Sequence, residues 1–147
     1  MTRGFTLIEV IIYIALFSLL MGTAFVTAYG LIEGTNKLNA KTTVQEEGSF
    51  VMRKFNWALT SVSIFSIPNP NELTLTKYDG NVVNISLSAN KIIIKESING
   101  NTPLPITTDN VQVTNLQFQQ VGSNPFGISA TATINGTNFI ITKYLRK

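Results

Sequence analysis

Cysteine and histidine are both missing from the 147 residues. Without a thiol there is no disulfide, no zinc–thiolate site and no thiol nucleophile, and cysteine usage says nothing of the compartment. Without an imidazole there is no Ser–His–Asp triad, no histidine metal ligand and no base titrating near neutrality. Proline is absent before Pro68, so none interrupts a helix upstream of it. Charge is thin: 11 Lys and Arg stand against 8 Asp and Glu, a net of +3, too mild by itself for a nucleic-acid-binding field. The acids (Glu9, Glu33, Glu46, Glu47, Glu72, Asp79, Glu96 and Asp109) are scattered. Acid–base catalysis needs two groups converging on a cleft, and calcium ligands come in clusters. Asp79 and Asp109 read as turn residues and Glu46-Glu47 as a solvated helix face. No G-x-x-x-x-G-K-[ST] loop is present to cradle a nucleotide. The expectation is a protein that is no enzyme and holds no metal or cofactor.

What is present begins with an apolar run. Val10 to Ile32 is 23 residues without a charge, VIIYIALFSLLMGTAFVTAYGLI. As a helix it covers roughly 30 Å, the thickness of a bilayer core. A cleaved secretory signal would have a shorter core of about 7–15 residues and a small-x-small site. An ordinary anchor fits the length, with Arg3 holding the N-terminus in the cytoplasm. Neither explains the carboxylate of Glu9 inside the preceding stretch Gly4-Phe5-Thr6-Leu7-Ile8-Glu9-Val10. An acid at a helix centre in lipid costs ~2.5–3.5 kcal/mol and is usually paired or functional. Near the helix start the dipole lowers that cost.

GFTLIEV, followed by a membrane-length apolar run, resembles the N-terminal signature of the type IV pilin superfamily: pilins, pseudopilins of type II secretion and competence pilins. The resemblance implies cleavage between Gly4 and Phe5 by a membrane prepilin peptidase, which then methylates the new amino group on Phe5. It makes Glu9 the assembly acid that pairs with an N-terminal amine. Cleavage would place a cation on Phe5, one helical turn before Glu9, so one subunit can satisfy its own pair. In a filament the same acid can meet the amine of a neighbour and so select register. The implied partners are other pilin subunits, the prepilin peptidase, an inner-membrane platform protein and its assembly ATPase. The implied location is the cytoplasmic membrane, crossed once with the C-terminal domain outside the cytoplasm, and then an extracellular or periplasmic filament.

The helical pattern continues past the membrane. Glu33 and Lys37 form an i,i+4 pair in the favourable order. Val44, Gly48, Val51, Phe55, Leu59 and Val62 fall three or four apart on one face, with Lys41, Gln45, Glu46, Arg53, Lys54 and Asn56 largely elsewhere. The expected organisation is a leader at residues 1–4, one long helix over 5–61 and a β-rich domain over 62–147. Within the helix, 5–32 is the transmembrane part and 33–61 the amphipathic part. Such a helix spans roughly 85 Å. Gly22, Gly30, Gly34 and Gly48 each cost about 1 kcal/mol in a helix interior, which makes Gly22 to Thr35 the softest stretch. Either small residues permit close helix packing there, or the stretch loosens when the subunit leaves lipid.

After Pro68-Asn69-Pro70 the period becomes alternating. Leu73, Leu75 and Lys77 alternate with Thr74, Thr76 and Tyr78; Asp79-Gly80 reads as a two-residue hairpin loop; Val83, Ile85 and Leu87 alternate on its far side. Lys91–Lys95 is a third strand, and Pro103 and Pro105 mark a loop. In the strand from Val111 to Gln120 the apolar phase flips, which predicts a bulge at Thr114-Asn115. Ile128–Ile134 and Phe139–Lys143 join around Asn135-Gly136, another hairpin turn. The fold class is α+β: a long N-terminal helix spine, apolar in its first half, packed against a C-terminal antiparallel β-meander sheet, with Phe55 and Trp57 supplying much of the buried area.

Strand spacing around the DG turn is similar to that of J-type pseudopilins and W-type minor pilins, which implies a role in assembly initiation or at the tip. Major pilins commonly close a C-terminal disulfide loop, which this chain lacks the cysteines to do. The tail Lys143-Tyr144-Leu145-Arg146-Lys147 has bases beside an aromatic; Lys143, Tyr144, Arg146 and Lys147 suit single-stranded DNA in a competence pilin, or serve as a charged terminus guarding a sheet edge. A nucleic-acid partner is expected only in the first case. The sequons at Asn84 and Asn135 lie in strand or turn positions. A membrane-tethered extracytoplasmic binding module that keeps its first four residues is the alternative to a filament subunit.

Overall fold

The computed structural model describes residues 6–123 and 125–145. The chain divides at Lys41/Thr42 into two units. One helix, α1 (Leu7–Ala58), runs through both.

In the first unit α1 is apolar on every side as far as Ile32, and its described residues are exposed except for the half-buried Glu9 and Gly34. It is long and apolar enough to cross a membrane. Its hydroxyls fit that use. Ser18 donates to the Ile14 carbonyl at 2.7 Å, Thr23 to Leu20 at 2.9 Å, Thr27 to Thr23 at 2.7 Å and Thr35 to Leu31 at 2.8 Å. A hydroxyl satisfied by its own backbone needs no water. Lys37 Nζ meets Glu33 Oε1 at 2.7 Å, the i,i+4 pair read from the sequence.

In the second unit α1 buries a single stripe, Val44, Gly48, Val51, Phe55 and Ala58. The helix stops at Ala58, not near residue 61. The Thr60 amide turns back to the Trp57 carbonyl at 3.1 Å, and Ser61 takes a left-handed φ of 58° that reverses the chain. Strand β1 (Val62–Asn69) follows directly and contains Pro68, where the sequence suggested only a break. Proline is tolerated because β1 is an edge strand whose register is already interrupted between Ser66 and Asn69.

The single meander expected from the sequence is two antiparallel sheets. The first has the order β1-β2-β3-β4-β5, with β2 Glu72–Lys77, β3 Val82–Ser88, β4 Lys91–Glu96 and β5 Leu104–Pro105. The second is β6-β7-β8, with β6 Val113–Val121, β7 Gly127–Ile134 and β8 Thr137–Tyr144. The split comes where the short, proline-containing β5 pairs only two residues with β4. A proline lacks the amide that a further ladder would use. The second sheet is tied to the first by single bonds, Val113 amide to Asn90 carbonyl at 2.9 Å and Phe118 amide to Pro70 carbonyl at 2.7 Å.

Turn chemistry set most of the registers. Asn135 and Gly136, at φ 45° and 79°, make the expected two-residue hairpin between Ile134 and Thr137. The β2–β3 connection is longer than expected. Lys77 and Asn81 still pair, Gly80 donates back to Lys77 at 3.0 Å, and Gly80 sits at φ 82°, giving a three-residue loop closed by a left-handed glycine. The bulge expected at Thr114-Asn115 is present as a register shift between Val113 and Asn115.

The core is where the stripe of α1 meets the inner faces of both sheets. Leu73, Leu75, Val83, Ile85, Ile92 and Ile94 come from the first sheet, and Leu116, Phe118, Ile128, Ala130, Ala132 and Ile134 from the second. The rings of Phe55 and Phe118 are 5.8 Å apart and tilted by 56°, a favourable aromatic arrangement. Trp57 is not part of this core. It is 41% exposed, against 1% for Phe55, because two helical residues are separated by about 200° of rotation. Gly48 has a packing reason: a Cβ there would lie 2.1 Å from Phe139 Cζ, so its absence lets the ring of β8 lie on the helix backbone.

Candidate functional site

The candidate assembly site begins at the first described turn of α1. Thr6 precedes the helix, and its carbonyl accepts from the amides of Glu9 at 3.1 Å and Val10 at 3.3 Å. Thr6 and Glu9 therefore have the spacing of an N-terminal capping box, T-x-x-E, a signal the sequence reading passed over. Glu9 sits where the helix dipole favours an anion. Its side chain is half-buried, and Tyr13, one turn on, donates its hydroxyl to Glu9 Oε1 at 3.3 Å. A phenol holds the carboxylate in place but brings no charge to offset it. Among the described residues no cation is paired with Glu9. Gly4 and Phe5, the expected processing pair, lie outside the described residues.

In the C-terminal cluster, Lys143 lies against the last turn of α1. Lys143 Nζ donates to the Asn56 carbonyl at 3.1 Å, to Asn56 Oδ1 at 2.9 Å and to Thr60 Oγ1 at 2.6 Å. The last turn of α1 has no basic residue of its own, and Lys143 supplies from β8 the cation that complements the helix end. Tyr144 is 54% exposed and runs along Gly127, where a Cβ would come within 2.9 Å of Tyr144 Cδ1. Arg146 and Lys147 lie outside the described residues.

The remaining polar candidates are held by neighbours. Asn84 Nδ2 donates to Glu72 Oε1 at 2.8 Å and Thr74 Oγ1 at 3.0 Å, while Asn135 Oδ1 accepts from the Gln112 amide at 2.8 Å. Asp79 Oδ1 accepts from the Asn81 amide at 2.9 Å, as a turn residue does, and Asp109 pairs with Lys91. Glu47 is half-buried rather than solvated, accepting from Thr108 Oγ1 at 2.6 Å. A feature missed in the sequence is a group of cations around Phe50 and Trp57, with Arg53 and Lys54 exposed and Lys77 half-buried. Arg53 Cζ stands 6.0 Å from the Phe50 centroid, Lys54 Nζ 5.7 Å from both rings and Lys77 Nζ 3.8 Å from that of Trp57. Its signal was present as the i, i+3, i+4, i+7 spacing of residues 50, 53, 54 and 57.

Residues 1–25 match the family described as the prokaryotic N-terminal methylation motif. The match takes in Gly4, Phe5 and Glu9 and reaches none of the sheets. No curated protein and no solved structure matches the chain.

Proposed function

We propose, from a chain whose first 25 residues carry the type IV prepilin-type signal, that it is a structural subunit of a type IV pilus-like filament. The peptidase cuts between Gly4 and Phe5 and methylates the amino group it exposes. The apolar half of α1 then holds the subunit in the cytoplasmic membrane, crossing once with the sheets outside, until platform protein and ATPase drive it into the filament. Glu9 is the charge that docking neutralises, first within its own subunit and then against the amine of a neighbour.

The observation carrying this reading is the methylation motif running directly into an exposed apolar helix in which Glu9 is the one acid before Glu33. That acid stands in the first turn of α1, held by the Tyr13 hydroxyl, and among the described residues no cation is paired with it. In apolar surroundings an unpaired carboxylate costs several kcal/mol, so a cationic chain end one turn away is a strong attractor.

Mass spectrometry of the native N-terminus tests the processing step: a chain starting at N-methylated Phe5 is expected, and an intact Met1 would leave a tethered sheet domain instead. Glu9→Val should cut incorporation into sheared filaments at least tenfold while the subunit still accumulates in membranes. A place near the tip, as against along the shaft, is read from the stoichiometry of the chain against its sibling subunits in those filaments.

A further inference from the structure

From Asn110 to Thr142 the chain carries no charged residue, and that stretch makes up nearly the whole of the second sheet. The uncharged run of α1 is apolar; in this one polar side chains alternate with the core. With Leu116, Phe118, Ile128 and Ala130 turned inward, alternation sets Gln117 and Gln119 of β6, Ser129 and Thr131 of β7 and Thr142 of β8 on the outer face. Each is exposed or half-buried. The outer face of the first sheet, by contrast, carries Glu72, Lys91 and Lys95. Charge is the usual means of keeping a sheet face soluble and its edge unpaired. The second sheet does without it, and Lys143, near the end of its edge strand β8, reaches across to Asn56.

Register gathers the outer groups into rows. Gln117 pairs with Thr131 and Thr131 with Ile140; Gln119 pairs with Ser129 and Ser129 with Thr142; Gly127 pairs with Tyr144. Successive rows are about 7 Å apart. Thr142 Oγ1 donates to Ser129 Oγ at 3.2 Å. Among the described residues, the side chains of Gln117, Gln119 and Thr131 have no hydrogen-bond partner. At the end of the rows the ring of Tyr144 rests on glycine backbone: a Cβ at Gly127 would lie 2.9 Å from its Cδ1, and one at Gly122 3.6 Å from its Cε1. The ring is held from below while the residue stays 54% exposed.

We propose that the outer face of the second sheet binds a neutral oligosaccharide. Sugar hydroxyls both donate and accept, and a glutamine amide offers donor and acceptor in one plane. Gln117 and Gln119 present two such amides with no partner of their own, flanked by the hydroxyls of Thr131 and Thr142. A sugar ring also has a face of C–H bonds, slightly positive, that packs on the electron-rich face of an aromatic ring. Tyr144 supplies that ring, and Ile140, 65% exposed, adds apolar support beside the amides. Charge matching decides the class of ligand. A nucleic acid, an acidic polysaccharide or an anionic lipid surface calls for cations, and this face has none. A protein partner would be held by an apolar centre, whereas Ile140 stands among glutamines and threonines. For an uncharged ligand, a face without ions has no charge to desolvate on binding. The site belongs to the folded sheet and does not depend on the filament reading.

The test uses the full chain in a detergent without a sugar headgroup, applied to immobilised linear oligomers of glucose, mannose and N-acetylglucosamine. Polygalacturonate and single-stranded DNA are the anionic controls. At least one neutral oligomer should retain the chain, and added salt should leave that retention unchanged. Gln117→Ala combined with Gln119→Ala should weaken the binding about fivefold, with unaltered β-sheet signal and melting. Tyr144→Ala should weaken it about tenfold, and Tyr144→Phe hardly at all. Retention by none of the neutral oligomers overturns the proposal. So does retention by DNA or polygalacturonate alone, which marks an anionic ligand bound elsewhere. Binding that survives the double glutamine change in a normally melting protein overturns it too. Should Tyr144→Ala fail to fold, the glutamine pair still decides.

Discussion

Before Lys41, α1 turns apolar side chains outward on every side: Leu7, Phe17, Phe25 and Leu31 are each at least 60% exposed. After Thr42 the same helix sorts its residues, burying Val51 and Phe55 and exposing Arg53 and Lys54. Glycine marks the difference. A Cβ added at Gly22, Gly30 or Gly34 would meet nothing within 4 Å, whereas one at Gly48 would enter the ring of Phe139. Among the described residues the first stretch exposes its apolar side chains, and the second is fitted to particular neighbours. One helix is therefore written in two codes, composition alone for the first half and phase for the second.

Substitutions can break that contrast. The largest effect is expected from Phe55→Ala, which empties the space against Phe118 and should cost about 3–5 kcal/mol, read as thermal loss of the β-sheet signal in detergent-solubilised full chain. Gly48→Ala should cost about 1–3 kcal/mol through overpacking, and a second change, Phe139→Leu, should recover part of it. Gly30→Ala sharpens the comparison by its opposite sign: helix propensity alone should stabilise the helix by about 1 kcal/mol, visible as higher helicity on heating. A loss there would show that Gly30 has a packing partner. Lys143→Met removes the cation from the last turn of α1 and should cost about 1 kcal/mol, seen as earlier fraying by hydrogen exchange over residues 54–58. Unchanged protection would mean the lysine is incidental to the helix end.

Local rules made much of this legible. The methylation motif, the uncharged run, the Asn135-Gly136 hairpin and the bulge at Asn115 each depend on a few adjacent residues whose chemistry has few alternatives. The errors came where phase or distant contacts decide. The size of Trp57 suggests burial, but its position two residues after Phe55 puts it on the opposite side. Strand β1 was hidden because Val62 continues the helical spacing and Pro68 reads as a stop; the left-handed Ser61 that turns the chain carries no sequence signal of its own. Two sheets were read as one because nothing in Leu104-Pro105 announces that the ladder ends there. Lys143 looked like a surface cation until the fold brought it to Asn56, 87 residues away. At the candidate site, Glu9 was evident from its isolation, while its contact with Tyr13 needed the helix to be drawn.

The back-bonded hydroxyls have a consequence for extraction. Ser18, Thr23, Thr27 and Thr35 each donate to a carbonyl of their own helix. A helix wired in this way carries its polar satisfaction with it, and exchanging lipid tails for protein side chains around it breaks none of these bonds. Under the proposed function, the remaining cost of transfer is concentrated at the one acid of the apolar half, Glu9 near its N-terminal end, so that neutralising this single group decides whether the helix leaves lipid.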